Sequence, residues 1–165
     1  DENGLIRSKL RVATAWCEGR VRGGRKFVKT NCTETLADFP ADYGKLEFPL
    51  PPLFSSTSIS ISYYTSTNGS TTLSSTLYDV VVPKNGPAWI EPKDGEVWPE
   101  TYTRPDAVTV SWTAGYGGQT KVPDTCKEAI LVITEALFDP TRLPMAEAKD
   151  IADVLLNENE YGHYG

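Results

Sequence analysis

Histidine is almost absent: His163, two residues from the C-terminus, is the only one in 165 residues. That removes most histidine-based metal sites. It also speaks against Ser-His-Asp and Cys-His mechanisms, which need an imidazole beside the nucleophile. Cysteine is scarce and odd in number. Cys17, Cys32 and Cys126 stand far apart with no CxxC pair, so neither a zinc site nor a disulfide framework is expected. Cys17 and Cys126 fall on apolar helical faces and read as buried thiols. Long hydrophobic runs are missing too. The longest, Ala129 to Ile133 and Val80 to Val82, fall far short of the ~20 residues that cross a bilayer, and no membrane partner is expected. No basic start followed by an apolar run marks a secretory signal. The acceptor patterns at Asn31-Cys-Thr and Asn68-Gly-Ser therefore carry little weight. Positive charge is in deficit, with 16 Lys and Arg against 22 Asp and Glu for a net charge of −6. A dedicated nucleic-acid binder normally shows a basic face. A protein that nucleic acid merely slides past is compatible with this balance.

What is present has a clear order, and a single domain over residues 1–165 is expected. Leu5, Ile6, Leu10, Ala13, Trp16 and Cys17 recur at three- and four-residue steps, which predicts an amphipathic helix over 5–18 that stops near Gly19. Arg20 to Lys29 then holds five cations in ten residues. Gly19 and Gly24 have the spacing of a phosphate loop. Yet Arg25 and Lys26 occupy the Lys-Ser/Thr positions, and a helix precedes the segment where a strand should. A solvated basic turn is expected instead, with contact to an acidic partner or a phosphate backbone as the functional alternative.

From 27 to 113 the pattern is that of β-structure. Thr30 to Leu36 reads as a strand, and Leu46 runs into a crossing stiffened by Pro49, Pro51 and Pro52. Residues 55–76 contain 15 Ser or Thr in 22, and among them Ile59, Ile61 and Tyr63 alternate with serines, as in a half-buried strand. Asn68-Gly69 predicts a two-residue type I′ turn with the returning strand at Leu73 to Val82. Pro83 to Pro105, with five prolines and with Trp89 and Trp98, reads as an irregular loop pinned by aromatics. Ala107 to Thr113 is the clearest strand. Val122-Pro123 opens a helix over 124–138 that Pro140 ends, and a third helix covers 146–157 before the tail 158–165. The expected class is α+β: a small helical bundle with an antiparallel β insert between its first and second helices.

Chemistry is sparse in this pattern. Asp94, Glu96, Glu100 and Asp106 lie near Trp89 and Trp98 in sequence, but a glycosidase needs two carboxylates held across a sugar subsite, and surface acids are common. A sugar-stacking platform of Trp89, Trp98, Trp112, Tyr63, Tyr64 and Tyr102 is the functional alternative from the residues alone. It would make the chain a β-rich carbohydrate-binding module. Trp112 and Tyr63, in register with Val110 and Ile61, read equally as core. No enzymatic activity, metal or cofactor is expected.

Three segments resemble a known family. Leu5-Ile-Arg-Ser-Lys-Leu-Arg-Val-Ala-Thr-Ala-Trp-Cys-Glu18 is similar to the second helix of the head–tail connector (adaptor, or head completion) proteins of long-tailed bacteriophages and gene transfer agents. Trp98-Pro99 followed by Arg104-Pro-Asp-Ala-Val-Thr-Val-Ser-Trp-Thr-Ala-Gly-Tyr-Gly117 is the most specific match. Val122-Pro123 with Ala129-Ile-Leu131 is the third. Family members begin with one more helix, and this chain starts at Asp1 without Met, so a missing or removed N-terminal segment is expected. The resemblance implies a structural protein at the head–tail junction of a virion. It would form a ring of identical subunits, dodecameric in the family, that binds the portal protein and meets a tail or stopper protein. Genome DNA would pass through the ring during packaging and ejection without specific binding. A stopper or tail-side completion protein of the same virion is the nearer alternative.

Candidate surfaces follow from that implication. Arg20, Arg22, Arg25 and Lys26 are the expected ring-interface charge patch, matched by acidic segments at Asp94 to Asp106 and Asp150 to Glu160. Leu155, Leu156, Tyr161 and Tyr164 are the expected docking residues for the portal or a neighbour. The Asn68-Gly69 hairpin is expected at the tail-side face or the lumen.

Overall fold

A computed structural model describes residues 2–20, 24–41, 44–83 and 86–157. It is an α+β structure with three helices and two antiparallel sheets, and the sheets are inserted between the first and second helices. The chain divides into two compact units. One comprises 1–28, 84–86 and 116–165, and the other 29–83 and 87–115.

The helical unit is built from α1 (Glu2–Arg20), α2 (Asp124–Phe138) and α3 (Met145–Asn157). Both α1 and α3 pack on α2. Small residues fill much of the helical core: Ala13, Ala129, Ala136, Ala148 and Ala152 are at most 1 % exposed, with Cys17 and Cys126 among them and Ile133 and Leu156 as the larger buried side chains. Burial pushes the Cys17 thiol up to about 12, with Cys126 adding to the effect, and raises Cys126 as well. Lys9 donates from Nζ to the carbonyl of Leu137 at the end of α2, where a cation also suits the helix dipole. Asp139 closes that end. Its Oδ1 accepts from the amides of Thr141 and Arg142 at 3.1 and 3.2 Å. Those contacts hold its carboxyl below the usual range, the Thr141 hydroxyl contributing most. The expected apolar stripe of α1 is only partly buried: Ala13 and Cys17 are in the core, while Leu5 and Ile6 stay 51 % and 37 % exposed. No helix among the described residues is long and apolar enough to cross a membrane.

The second unit holds a four-stranded sheet in the order β1-β7-β3-β4 and a three-stranded sheet in the order β2-β6-β5. The strands are β1 (Thr30–Leu36), β2 (Leu46–Glu47), β3 (Ser60–Tyr64), β4 (Ser70–Thr72), β5 (Tyr78–Val81), β6 (Trp89–Pro92) and β7 (Val108–Ala114). Period-two alternation sets the faces of the larger sheet. Val108, Val110, Trp112 and Ala114 are buried on one side of β7, with Ile61 opposite Val110 and Cys32 opposite Trp112. The core continues through Phe48, whose ring lies 5.5 Å from Trp112, and through Phe39, stacked on Trp98 at 5.0 Å.

The other face of that sheet explains the Ser/Thr richness. The register aligns Thr35, Thr109, Ser62 and Thr72 across four strands, and Thr33, Ser111 and Ser60 across three. Thr33 and Ser111 share a hydroxyl hydrogen bond at 3.2 Å, and Thr113 donates to Asn31 at 3.2 Å. β-Branched and hydroxyl side chains suit a pleated, solvated surface.

Three expectations about the insert are corrected. The Asn68-Gly69 pair does not form a two-residue turn. The loop runs through Ser66, Thr67 and Asn68, closed by Thr65 N donating to Gly69 O at 2.8 Å and Asn68 N to Thr65 O at 2.7 Å. Only Asn68 has a positive φ, of 64°, whereas a type I′ turn requires it at both central residues. The returning strand is also shorter than Leu73 to Val82. After β4 and the Leu73 amide, which donates to Ile61 O at 2.8 Å, the chain leaves the sheet, and Tyr78–Val81 pairs with β6 in the other one. That pairing also places a strand, β6, inside the proline-rich segment read as irregular. Pro92 is tolerated because it sits at the strand's last position.

Candidate functional site

The basic segment after α1 is the first candidate, and its charges are engaged within the subunit. Arg20 makes a two-point ion pair with Asp153 of α3, Nε to Oδ1 and Nη2 to Oδ2, both at 2.7 Å. The hydrogen bond to Asp153 raises the Arg20 guanidinium further above its ordinary range. Lys26 pairs with Glu18 at 2.8 Å, and the second oxygen of Glu18 accepts the Phe27 amide at 2.9 Å. With the Arg25 amide donating to the Glu18 carbonyl at 2.9 Å, the turn out of α1 is clamped on one residue. Arg25 itself is only 4 % exposed, and its guanidinium lies beside Cys126. Its cation is in the helical unit, where the sequence places it in a solvated turn. Arg22 lies outside the described residues. The expected patch is therefore not a continuous exposed surface: two of its cations are paired at home and one is buried. A local run of charge shows none of this, because the partners Asp153 and Cys126 are more than 100 positions away.

The α3 candidates divide the same way. Leu156 is 1 % exposed and Leu155 is partly buried against the same core, so both face inward at helical spacing from Ala148 and Ala152. The outward apolar residues of α3 are Ile151 and Val154, at 40 % and 64 % exposed. Tyr161 and Tyr164 lie outside the described residues. The hairpin candidate holds its place at a loop tip, with Ser66 to Gly69 all exposed. The Thr65 hydroxyl spans it, accepting from the Gly69 amide and reaching the Gly69 carbonyl, both at 3.2 Å.

The aromatic residues are occupied in ways that do not make a flat exposed row. Trp112 is 4 % exposed in the core. Trp98 stacks on Phe39 and donates to the Gly44 carbonyl at 2.8 Å. Trp89 donates to Glu91 at 3.1 Å with the Lys45 ammonium 4.0 Å over its ring. Tyr64 is covered by the Arg104 guanidinium at 3.9 Å. Of the acids near Trp98, Asp106 is held by Arg104 at 2.7 Å, which lowers its carboxyl below the usual range. No group of three potential metal ligands occurs among the described residues. A pocket beside the Arg20–Asp153 pair, lined also by Leu156 and Asn157, measures about 230 Å³, below the ~300–1,000 Å³ of small-molecule sites.

No family model matches the sequence, and no curated protein does. Solved structures do match. A chain from the neck of an empty gene transfer agent particle, computed with C6 symmetry, superimposes at a TM-score of 0.72 and 17% identity, covering 94% of this chain and 78% of that one. The fold is that of a neck chain. A chain from the neck of the native particle, computed with C12 symmetry, aligns at a TM-score of 0.69 and 15% identity over 91% and 80% of the two chains. A third match, from the virion of the native gene transfer agent particle, gives 0.70 and 16% over 94% and 78%. The neck-type fold thus extends over both units.

Proposed function

We propose that this chain is a structural subunit of a head–tail neck, forming a ring of identical copies that joins the capsid portal to the tail and surrounds the path of the DNA. The observation that carries the reading is the shared fold over 94% of the chain with neck chains of gene transfer agent particles. Twelve subunits is the count in keeping with the C12 neck. Two features of the chain itself support the role. A net charge of −6 gives little grip on phosphates, so DNA passes without being retained. The hydroxyl rows of the large sheet offer a hydrated, uncharged wall. In this reading the Asn68 hairpin points to the tail-side face or the lumen.

The test is to mix the purified protein with the portal assembly of its own particle and image the product by negative-stain electron microscopy. An added ring on the narrow end of the portal is expected. Bare portals at a large excess of protein would overturn the adaptor role and move the chain to a stopper or tail-side position.

A further inference from the structure

We infer that the helical unit carries both halves of a head-to-tail contact between copies of this chain, the outer face of α1 on one copy seating against the outer face of α3 on the next. The inference rests on the ring reading above and names its contact surface.

On α1 the exposed residues Leu5, Ser8, Val12, Ala15 and Gly19 follow one another at steps of three, four, three and four. That is the spacing of a coiled-coil seam. The stripe is turned away from Ala13 and Cys17, which face α2. Its apolar members are open, Leu5 at 51 % and Val12 at 55 %. Arg7 and Arg11 border it, and neither makes an ion pair or hydrogen bond among the described residues. Cys17 lies by Cys126 near the beginning of α2 and Lys9 reaches Leu137 near its end, so α1 runs antiparallel to α2. On the N-terminal side of α1, Gly4 to Ser8 are all exposed. Helical ends without packing are marginal in water, and a covering surface stabilises them.

The outer face of α3 has the complementary character. Glu147, Asp150, Ile151 and Val154 are exposed at i, i+3, i+4 and i+7, which gathers them within a sector of about 100°. Ala148, Ala152 and Leu156 fill the opposite side. Glu147 makes no ion pair among the described residues and Asp150 meets Arg20 only through a longer-range attraction, whereas Asp153, off this stripe, holds Arg20 in a direct ion pair. Lys149 projects from a different side of the helix.

Signs select the pairing. Two α1 faces would set arginine against arginine, and two α3 faces carboxylate against carboxylate, so a symmetric dimer through either face is disfavoured. Only α1 against α3 matches charge as well as apolar side chains. Because α1 and α3 turn their inner faces to α2, both outer stripes stay exposed in one copy. A contact of this heterologous kind closes into a ring when its rotation allows. The apolar patch is small, so a single contact is weak and closure, with two contacts per subunit, supplies the stability.

The experiment uses the whole chain carrying Cys32→Ser, since Cys17 and Cys126 are buried. One version adds Val12→Cys and a second, of different tag length, adds Val154→Cys. The two are mixed with the portal assembly, treated with a short bismaleimide, and read by gel and by negative-stain imaging. The mixed 12–154 product is expected to dominate over the 12–12 and 154–154 products. Arg7→Glu with Arg11→Glu should cut its yield about tenfold, and adding Glu147→Lys with Asp150→Lys in the same chain should restore it, which a folding defect would not allow. Rings without preference for the mixed product would overturn this contact and leave the neck reading standing. Mixed product without rings would support the contact and overturn the closed ring. Neither rings nor mixed product would overturn both.

Discussion

Replacing Asn68 and Gly69 one at a time separates the loop observed here from the turn that an Asn-Gly pair ordinarily makes. Asn68 sits at φ 64°, a region that costs an ordinary L-residue roughly 1–2 kcal/mol and Asn less. Asn68→Ala should therefore destabilise the sheet unit by about 1 kcal/mol, and Asn68→Val by more, because a β-branched side chain tolerates that region least. Asn68→Gly should be neutral or slightly stabilising. Gly69 lies outside the left-handed region, and a Cβ built there would meet only the Thr65 hydroxyl at 3.5 Å, an ordinary contact. Gly69→Ala should then be neutral or stabilise by about 0.5 kcal/mol, since alanine restricts the unfolded chain more than glycine does. The assay is urea and thermal unfolding followed by tryptophan fluorescence. Trp89, Trp98 and Trp112 all belong to the sheet unit, so the signal reports mainly on it. A cost of 1 kcal/mol corresponds to a fall in Tm of about 4–8 °C for a unit of this size. If Gly69→Ala lowers Tm more than Asn68→Ala does, the three-residue loop is wrong and the type I′ turn is restored.

Three further outcomes follow from the helical unit. Arg25→Glu should unfold it or cost about 3–5 kcal/mol, because a carboxylate would be buried in place of the cation. Arg20→Glu, at an exposed ion pair, should leave Tm nearly unchanged, and equal effects in circular dichroism melts would refute the burial of Arg25. The raised Cys17 thiol makes the unit sensitive to alkali. Its folded value of about 12 lies above the unfolded 9.0, so the native state retains a proton that the unfolded state has lost. Stability is then full below pH 9 and falls by up to about 1.4 kcal/mol per unit between pH 9 and 12. Urea midpoints across that range should slope downward in the native sequence and less steeply in Cys17→Ala, where the raised Cys126 thiol remains. Ala152→Leu should cost about 1–3 kcal/mol by overpacking the close helical contact, and a neutral result in equilibrium unfolding would show that the alanine core has room.

Much of the fold is written locally. The strand at Ala107 to Thr113 was legible because alternation of Val108, Val110 and Trp112 with Thr109 and Ser111 needs no information from elsewhere. The helices at 124–138 and 146–157 were legible because Pro123, Pro140 and Pro144 punctuate apolar residues at helical spacing. The α+β class and the placing of the sheets between the first two helices came from the same patterns. So did the connector resemblance, on motifs that the shared neck-type fold then supported.

What the sequence could not decide is which partner each side chain finds across the chain. The run from Arg20 to Lys29 reads as one basic surface, yet tertiary contacts divide it: Asp153 takes Arg20, Glu18 takes Lys26 and the helical core takes Arg25. Leu155 and Leu156 read as a docking pair, but packing of α3 on α2 turns them inward and leaves Ile151 and Val154 outside. The split of Leu73 to Val82 between two sheets was equally hidden, because β6 competes for Tyr78–Val81 from inside a proline-rich segment. Local pattern determines which residues form helices and strands, since periodicity and turn chemistry act within a few positions. Exposure and ion pairing depend on elements far apart in sequence, and only the tertiary structure decided which charges and which apolar faces this protein keeps free.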